Sequence, residues 1–220
     1  PREIGTLKRL TWLNMSGNLI ESIPHDIERL SGLEVLSMAN NQIISIPAQT
    51  GHLTELKIID FSGNKISELP TSIADLDHLA ILDLSSNEFE NLPDPVFSLH
   101  GLQILKIGFN KIASIPGDSL YKISSLKLLD LSHNKITSIP KQIDSLPGRT
   151  KIFLQGNNIS SVPIELTHLQ YLNELDLSNN RLKNLPEDFD ELQNLNIINI
   201  SGNQFSNYPR QISNLYSLYQ

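Results

Sequence analysis

The sequence predicts an α/β fold built as a right-handed solenoid. Its stacked coils carry a curved parallel sheet on the concave face and short 3₁₀ or helical turns on the convex face. Three observations predict it. The first is an asparagine that returns along the whole chain, at Asn18, Asn41, Asn64, Asn87, Asn110, Asn134, Asn157, Asn180 and Asn203. The spacing is 23 residues, with one step of 24 between Asn110 and Asn134. A fixed period of this size marks a stacked repeat architecture. The second is an apolar–polar–apolar alternation before each asparagine, as in Leu129-Asp130-Leu131, which has the period of a strand. The third is the Pro-x-x-Ile-x-x-Leu run after it, as at Pro140, Ile143 and Leu146. That run is too short for a long helix, and its proline suits a first helical position.

Taken in order, the chain starts in the second half of a unit. Pro1, Ile4 and Leu7 match Pro24, Ile27 and Leu30 of the next. It closes on the same half-unit at Pro209, Ile212, Leu215 and Leu218. Between them stand nine full copies of LxxLxLxxNxLxxLPxxIxxL. The chain is therefore predicted to be one array over residues 1–220, with nine full repeats and partial repeats at both ends. Such arrays need a polar outer layer on the terminal coils. Neither end shows one, so the expectation is a fragment of a longer array or a larger protein. Each unit supplies one strand about 4.8 Å from the next, so eight steps give a sheet of roughly 38 Å. The convex half of each unit is bulkier than a strand, which bends the stack with the sheet inside.

The asparagine carries both donors and an acceptor. Buried at the turn after the strand, it is expected to bond backbone groups that have left the ladder, including those of the next repeat. Two units depart from the pattern. One extra residue in Gly117–Ile123 gives the 24-residue step and is expected on the convex side, where it is easily absorbed. In the other, Arg149 stands where every other copy has leucine, as at Leu10, Leu33, Leu126 and Leu172. An unpaired buried guanidinium is very costly, so Arg149 is expected to face solvent, helped by the turn signal Pro147-Gly148. This break reads either as a boundary between subarrays or as drift.

Composition excludes several function classes. A net charge of −7 argues against general nucleic-acid binding, which uses a basic face. The chain has no cysteine, so disulfides and thiolate chemistry are excluded. That points to a reducing, cytoplasmic setting or to a bacterial protein, possible secretion of the latter included. No run approaches 18 apolar residues, so no membrane-inserted helix is expected. No nucleophile elbow, phosphate loop or dinucleotide fingerprint is present. Catalytic residues, cofactors and a small-molecule substrate are accordingly not expected. The six histidines lie mainly on connections, without i, i+4 spacing or an acidic partner, so no zinc site is expected. Asn14, Asn158 and Asn199 begin Asn-x-Ser triplets, which chance accounts for in a chain so rich in both residues.

The candidate site is a partner-binding face on the concave sheet, where stacking aligns equivalent positions in rows. The first row holds Trp12, Val35, Ile58, Ile81, Ile104, Leu128, Lys151, Glu174 and Ile197. Its run from Trp12 to Leu128 makes an apolar stripe of the kind that marks interaction sites, although β-branched residues also simply favour strands. In the second row Lys106 and Phe153 interrupt a series of aspartates and asparagines. In the third, at the strand ends, Phe109 replaces small or polar residues. Central aromatics ringed by polar groups are the usual hot spots of interfaces. Asp60, Asp83, Asp130 and Asp176 lack a third ligand around them, so neither a metal nor acid catalysis is expected there. They favour instead a basic flank on a partner.

The repeated motif resembles the leucine-rich repeat family over essentially the whole chain. The 23-residue unit and the leucine-proline step after the asparagine are similar to the typical intracellular subclass. That subclass includes Ras-suppressor-like proteins, Scribble-type scaffolds, the repeat regions of Roco proteins and many bacterial repeat arrays. The resemblance implies a protein-binding scaffold, with signalling as one setting. It equally implies two alternatives. One is the recognition arm of a multidomain enzyme, such as a Roco GTPase-kinase or a bacterial effector ubiquitin ligase. The other is a structural or adhesive surface protein.

Overall fold

The structure, a computed structural model, describes residues 2–215. Pro1 and Leu218 of the terminal half-units lie outside the described residues. Nine strands of three residues form one parallel sheet in strict sequence order. They are β1 (Trp12–Asn14), β2 (Val35–Ser37), β3 (Ile58–Asp60), β4 (Ile81–Asp83), β5 (Ile104–Lys106), β6 (Leu128–Asp130), β7 (Lys151–Phe153), β8 (Glu174–Asp176) and β9 (Ile197–Asn199). Register follows the repeat. Leu36, Ile59, Leu82, Leu105, Leu129, Ile152 and Leu175 stand side by side and are almost fully buried. The flanking strand residues point the other way, to the concave face. This is the predicted open, curved solenoid.

The convex half of every unit is a 3₁₀ turn rather than α-helix. The proline that begins it is extended, at φ −70° and ψ 145° for Pro24. Its carbonyl then accepts the N–H three residues on, Ile27 to Pro24 at 3.0 Å, and the pattern repeats from Leu30 to Ile27 at 3.0 Å. Short i to i−3 bonding of this sort suits a connector of five residues better than a helix. The extra residue sits where expected, in the six-residue turn Gly117–Lys122. Inside, the leucine and isoleucine rows are joined by Phe61, Phe89 and Phe189, all fully buried. Fully burying such a side chain contributes about 1.5–3 kcal/mol.

The asparagines work backwards along the chain. Asn110 donates through Nδ2 to Leu84 O at 3.0 Å, in the preceding coil, and to its own Ile107 O at 3.1 Å. Its Oδ1 accepts the N–H of Phe89 at 2.9 Å, again in the preceding coil. Asn41, Asn64, Asn87, Asn134, Asn157 and Asn180 repeat these contacts. The expectation of bonds to the next repeat is therefore corrected. Each asparagine from Asn41 to Asn203 closes the turn of the coil before its own, while Asn18 bonds within its own coil.

Arg149 is exposed, as expected, and the cause lies three residues upstream. A residue before proline is pushed out of the helical region. Leu146 precedes Pro147 and is extended, with ψ 151°, whereas its counterpart Leu169 has ψ 61°. The following turn therefore slips by one residue. The N–H of Thr150 bonds Pro147 O at 2.9 Å, the i−3 bond that Leu172 makes to Leu169 in the next coil. Thr150 thus enters the core in the leucine's place and is fully buried. Its hydroxyl is satisfied by Leu126 O at 2.8 Å and Pro147 O at 2.7 Å.

Candidate protein-binding face

The first row is continuous in register from Trp12 through Val35, Ile58, Ile81, Ile104 and Leu128 to Lys151. Trp12 is 59% exposed, and the five residues after it are half-buried by their neighbours. The second row carries the aspartates, and most are tied to the backbone. Asp60, Asp83, Asp130 and Asp176 each accept through Oδ1 the N–H of the serine two residues on, at 2.8–3.0 Å. They cap strand ends, a local pattern typical of aspartate.

Lys106 and Lys151 lie on the face but are not free. Lys106 Nζ is 3.4 Å from Asp83 Oδ2, and Lys151 Nζ is 2.7 Å from Glu174 Oε2. Phe153 stands on β7 between Asp130 and Asp176 in register, half-buried.

The third row has a backbone character that the sequence alone did not show. Gly17, Asn40, Gly63, Ser86, Phe109, His133, Gly156, Asn179 and Gly202 all adopt positive φ, between 50° and 71°. Glycine adopts this conformation freely, and asparagine tolerates it. A phenylalanine there is uncommon, yet Phe109 has φ 54° and is 56% exposed. Its ring stacks on that of His133 in the next coil, with centroids 4.1 Å apart and planes 17° apart. His133 in turn lies over Gly156, where a Cβ would sit 2.5 Å from its Nδ1. The partner of Phe109 is thus His133, which holds the same row position one coil on and was not among the residues singled out in the sequence. The 24-residue step from Phe109 to His133 was the signal. Phe109 and Phe153 are two strands and one row apart.

Among the described residues no cluster of His, Asp or Glu is arranged to hold a metal. Two histidines do have acidic partners one coil back, contrary to expectation: His52 Nδ1 lies 2.9 Å from Glu28 Oε2, and His168 Nδ1 3.4 Å from Asp144 Oδ2. Both pairs lie in the connections outside the sheet. Lys111, on the flank, is held above its ordinary pKa by its hydrogen bond to the Glu88 carboxylate and then by that group's charge.

Comparison with known proteins agrees with the geometry. The family description "Leucine rich repeat" matches residues 100–159 and 150–205. "Leucine Rich repeats (2 copies)" matches 31–78, and "Leucine Rich Repeat" matches 9–30. Among solved structures, a leucine-rich repeat protein of Leptospira interrogans superposes with a TM-score of 0.94 at 32% identity. The match covers 99% of this chain and 55% of that one. The ectodomain of the Arabidopsis thaliana membrane receptor kinase GASSHO1/SCHENGEN3, solved in complex with CASPARIAN STRIP INTEGRITY FACTOR 2, gives a TM-score of 0.75 at 28% identity. That match covers 99% of this chain and 30% of the ectodomain. No curated relative matches the chain.

Proposed function

This chain belongs to the leucine-rich repeat family, and we propose that it binds a partner protein through its concave face, centred on β5–β7. Repeats of this family generally mediate protein–protein interaction, and the fold is typically a scaffold without catalysis. The observation that carries the reading is Phe109. It is large, exposed and held in a backbone conformation that suits glycine. Nothing in the stacking of the coils requires an aromatic ring there. Strained positions of this kind cluster where function retains them. Lys106, Phe153, Lys151 and His133 break their own rows within the same three coils, which sets this region apart from the regular coils on either side. Aromatics near the centre of an interface carry a large share of binding energy.

The test is a Phe109→Ser, Phe153→Ser double variant compared with wild type in affinity capture, followed by measurement of each captured protein. A partner held by wild type and lost by the variant, at an unchanged denaturation midpoint, is the expected result. Full retention of that partner overturns the reading.

A second reading is that this array is the recognition arm of a multidomain enzyme; the receptor-kinase ectodomain is an array of the same fold. A GTPase, kinase or ligase domain encoded in the same full-length gene product decides for it.

A further inference from the structure

Four cations stand close together on three adjacent strands of the sheet, and a further one, Lys57 at the start of β3, is paired with Glu34 at 2.8 Å. Lys106, Lys127, Arg149 and Lys151 all stand on or at the start of β5–β7, in a chain of net charge −7. Two of them are neutralised by Asp83 and Glu174, as described. Lys127 and Arg149 are not. Lys127 Nζ donates to the amide oxygen of Gln103 at 2.9 Å, and Arg149 lies 5.9 Å from the centroid of the Tyr171 ring. Among the described residues neither has a carboxylate partner within 4.0 Å. Both side chains are exposed.

The two are neighbours across the sheet. The N–H of Lys151 bonds Lys127 O at 2.8 Å, so Lys127 runs beside the start of β7, where Arg149 emerges. The slip driven by Pro147 takes a leucine out of the core pattern and presents an arginine at the rim. Gly148 keeps room for the tyrosine under it: a Cβ there would lie 3.3 Å from Tyr171 Cδ2. A guanidinium resting on an aromatic face is pre-ordered and still offers its donor fork to a carboxylate.

We propose that the rim at Lys127 and Arg149 receives the acidic side chains of the protein partner, while Phe153 at the end of β7 supplies apolar contact. This rests on the concave face being the docking face.

The probe is a fluorescent peptide alternating glycine and glutamate, with glutamine and lysine counterparts, followed by anisotropy. The glutamate peptide is expected to bind wild type, and the other two are not. Lys127→Gln with Arg149→Gln is expected to weaken it about 3- to 10-fold, the range for two exposed charge contacts. Raising salt from about 20 to about 150 mM is expected to weaken it similarly. Lys65→Gln, on the flank, is expected to change nothing. Equal binding of the glutamine peptide overturns the proposal. So does unchanged affinity in the double variant at an unchanged denaturation midpoint, or equal weakening by Lys65→Gln. The docking-face reading is judged separately by the phenylalanine variant, which leaves both cations in place.

Discussion

At the scale of single residues, stability and binding are carried by different side chains. Asn110 reaches three buried carbonyls and one buried N–H in two coils. Asn110→Ala is expected to lower unfolding free energy by about 2–3 kcal/mol, since each orphaned group costs roughly 1–3. Asn18 bonds only Met15 O and Ser16 O in its own coil and is exposed, so Asn18→Ala should cost under about 1 kcal/mol. Urea midpoints of the two variants check the contrast. Thr50 is the converse case. It fills an isoleucine position, is fully buried, and its hydroxyl has no hydrogen-bond partner among the described residues. Thr50→Val keeps the shape and is expected to stabilise by about 1 kcal/mol, read as a higher thermal midpoint. Phe109→Asn relieves the backbone but loses the ring stack on His133, two effects of about 0.5–1.5 kcal/mol each. Its net change in stability should be near zero, as befits a residue kept for something else. The asparagine row was legible at once from its spacing. Its direction was not, because a column of identical residues looks the same from either side, and only side-chain orientation tells the preceding coil from the following one.

At the scale of the element, one proline decides the geometry of a whole turn. Arg149→Leu alone is expected to gain almost nothing, because Thr150 already occupies the core slot. Arg149→Leu with Pro147→Gln should let Leu146 return to the conformation of Leu169 and bury the new leucine, raising stability by about 1.5–3 kcal/mol. The effect is non-additive, and a double-mutant cycle in urea reads it directly. Gly51 sets a limit of another kind. In the 3₁₀ turn Ala48–His52 its Cβ would stand 2.2 Å from Ser72 O of the next coil. Gly51→Ala is therefore expected to destabilise by about 1–3 kcal/mol, as overpacking does. The exposure of Arg149 could be read from charge alone. The slip that achieves it could not, since that depends on how Leu146 and Thr150 share the work. The strands and turns were plain because each is a local pattern repeated nine times. The left-handed row was hidden because glycine, asparagine, serine, histidine and phenylalanine share no sequence signature there, only a backbone angle.

At the scale of the molecule, every coil touches only its neighbours, so stability is a sum over adjacent pairs. The strand amides of β4–β6 are expected to exchange with solvent most slowly. Those of β1 and β9 should exchange fastest, since Trp12, Leu13 and Met15 at one end and Ile197, Ile198 and Ile200 at the other are less covered than their counterparts between. The candidate face was legible in outline, because rows follow from the period. Its energetics were not, since the pairing of Lys106 and Lys151 with neighbouring acids depends on reach between strands. The backward reach of the asparagines has a further consequence. A nascent chain leaving the ribosome cannot finish its newest coil by itself; the clasp for that coil is encoded about 21 residues further on. Synthesis thus acts as a ratchet, each arriving segment locking the one made before it. Pulled in a force experiment, the array should peel differently from its two ends, because removing the last coil unclasps its predecessor while removing the first leaves the next coil's clasp closed.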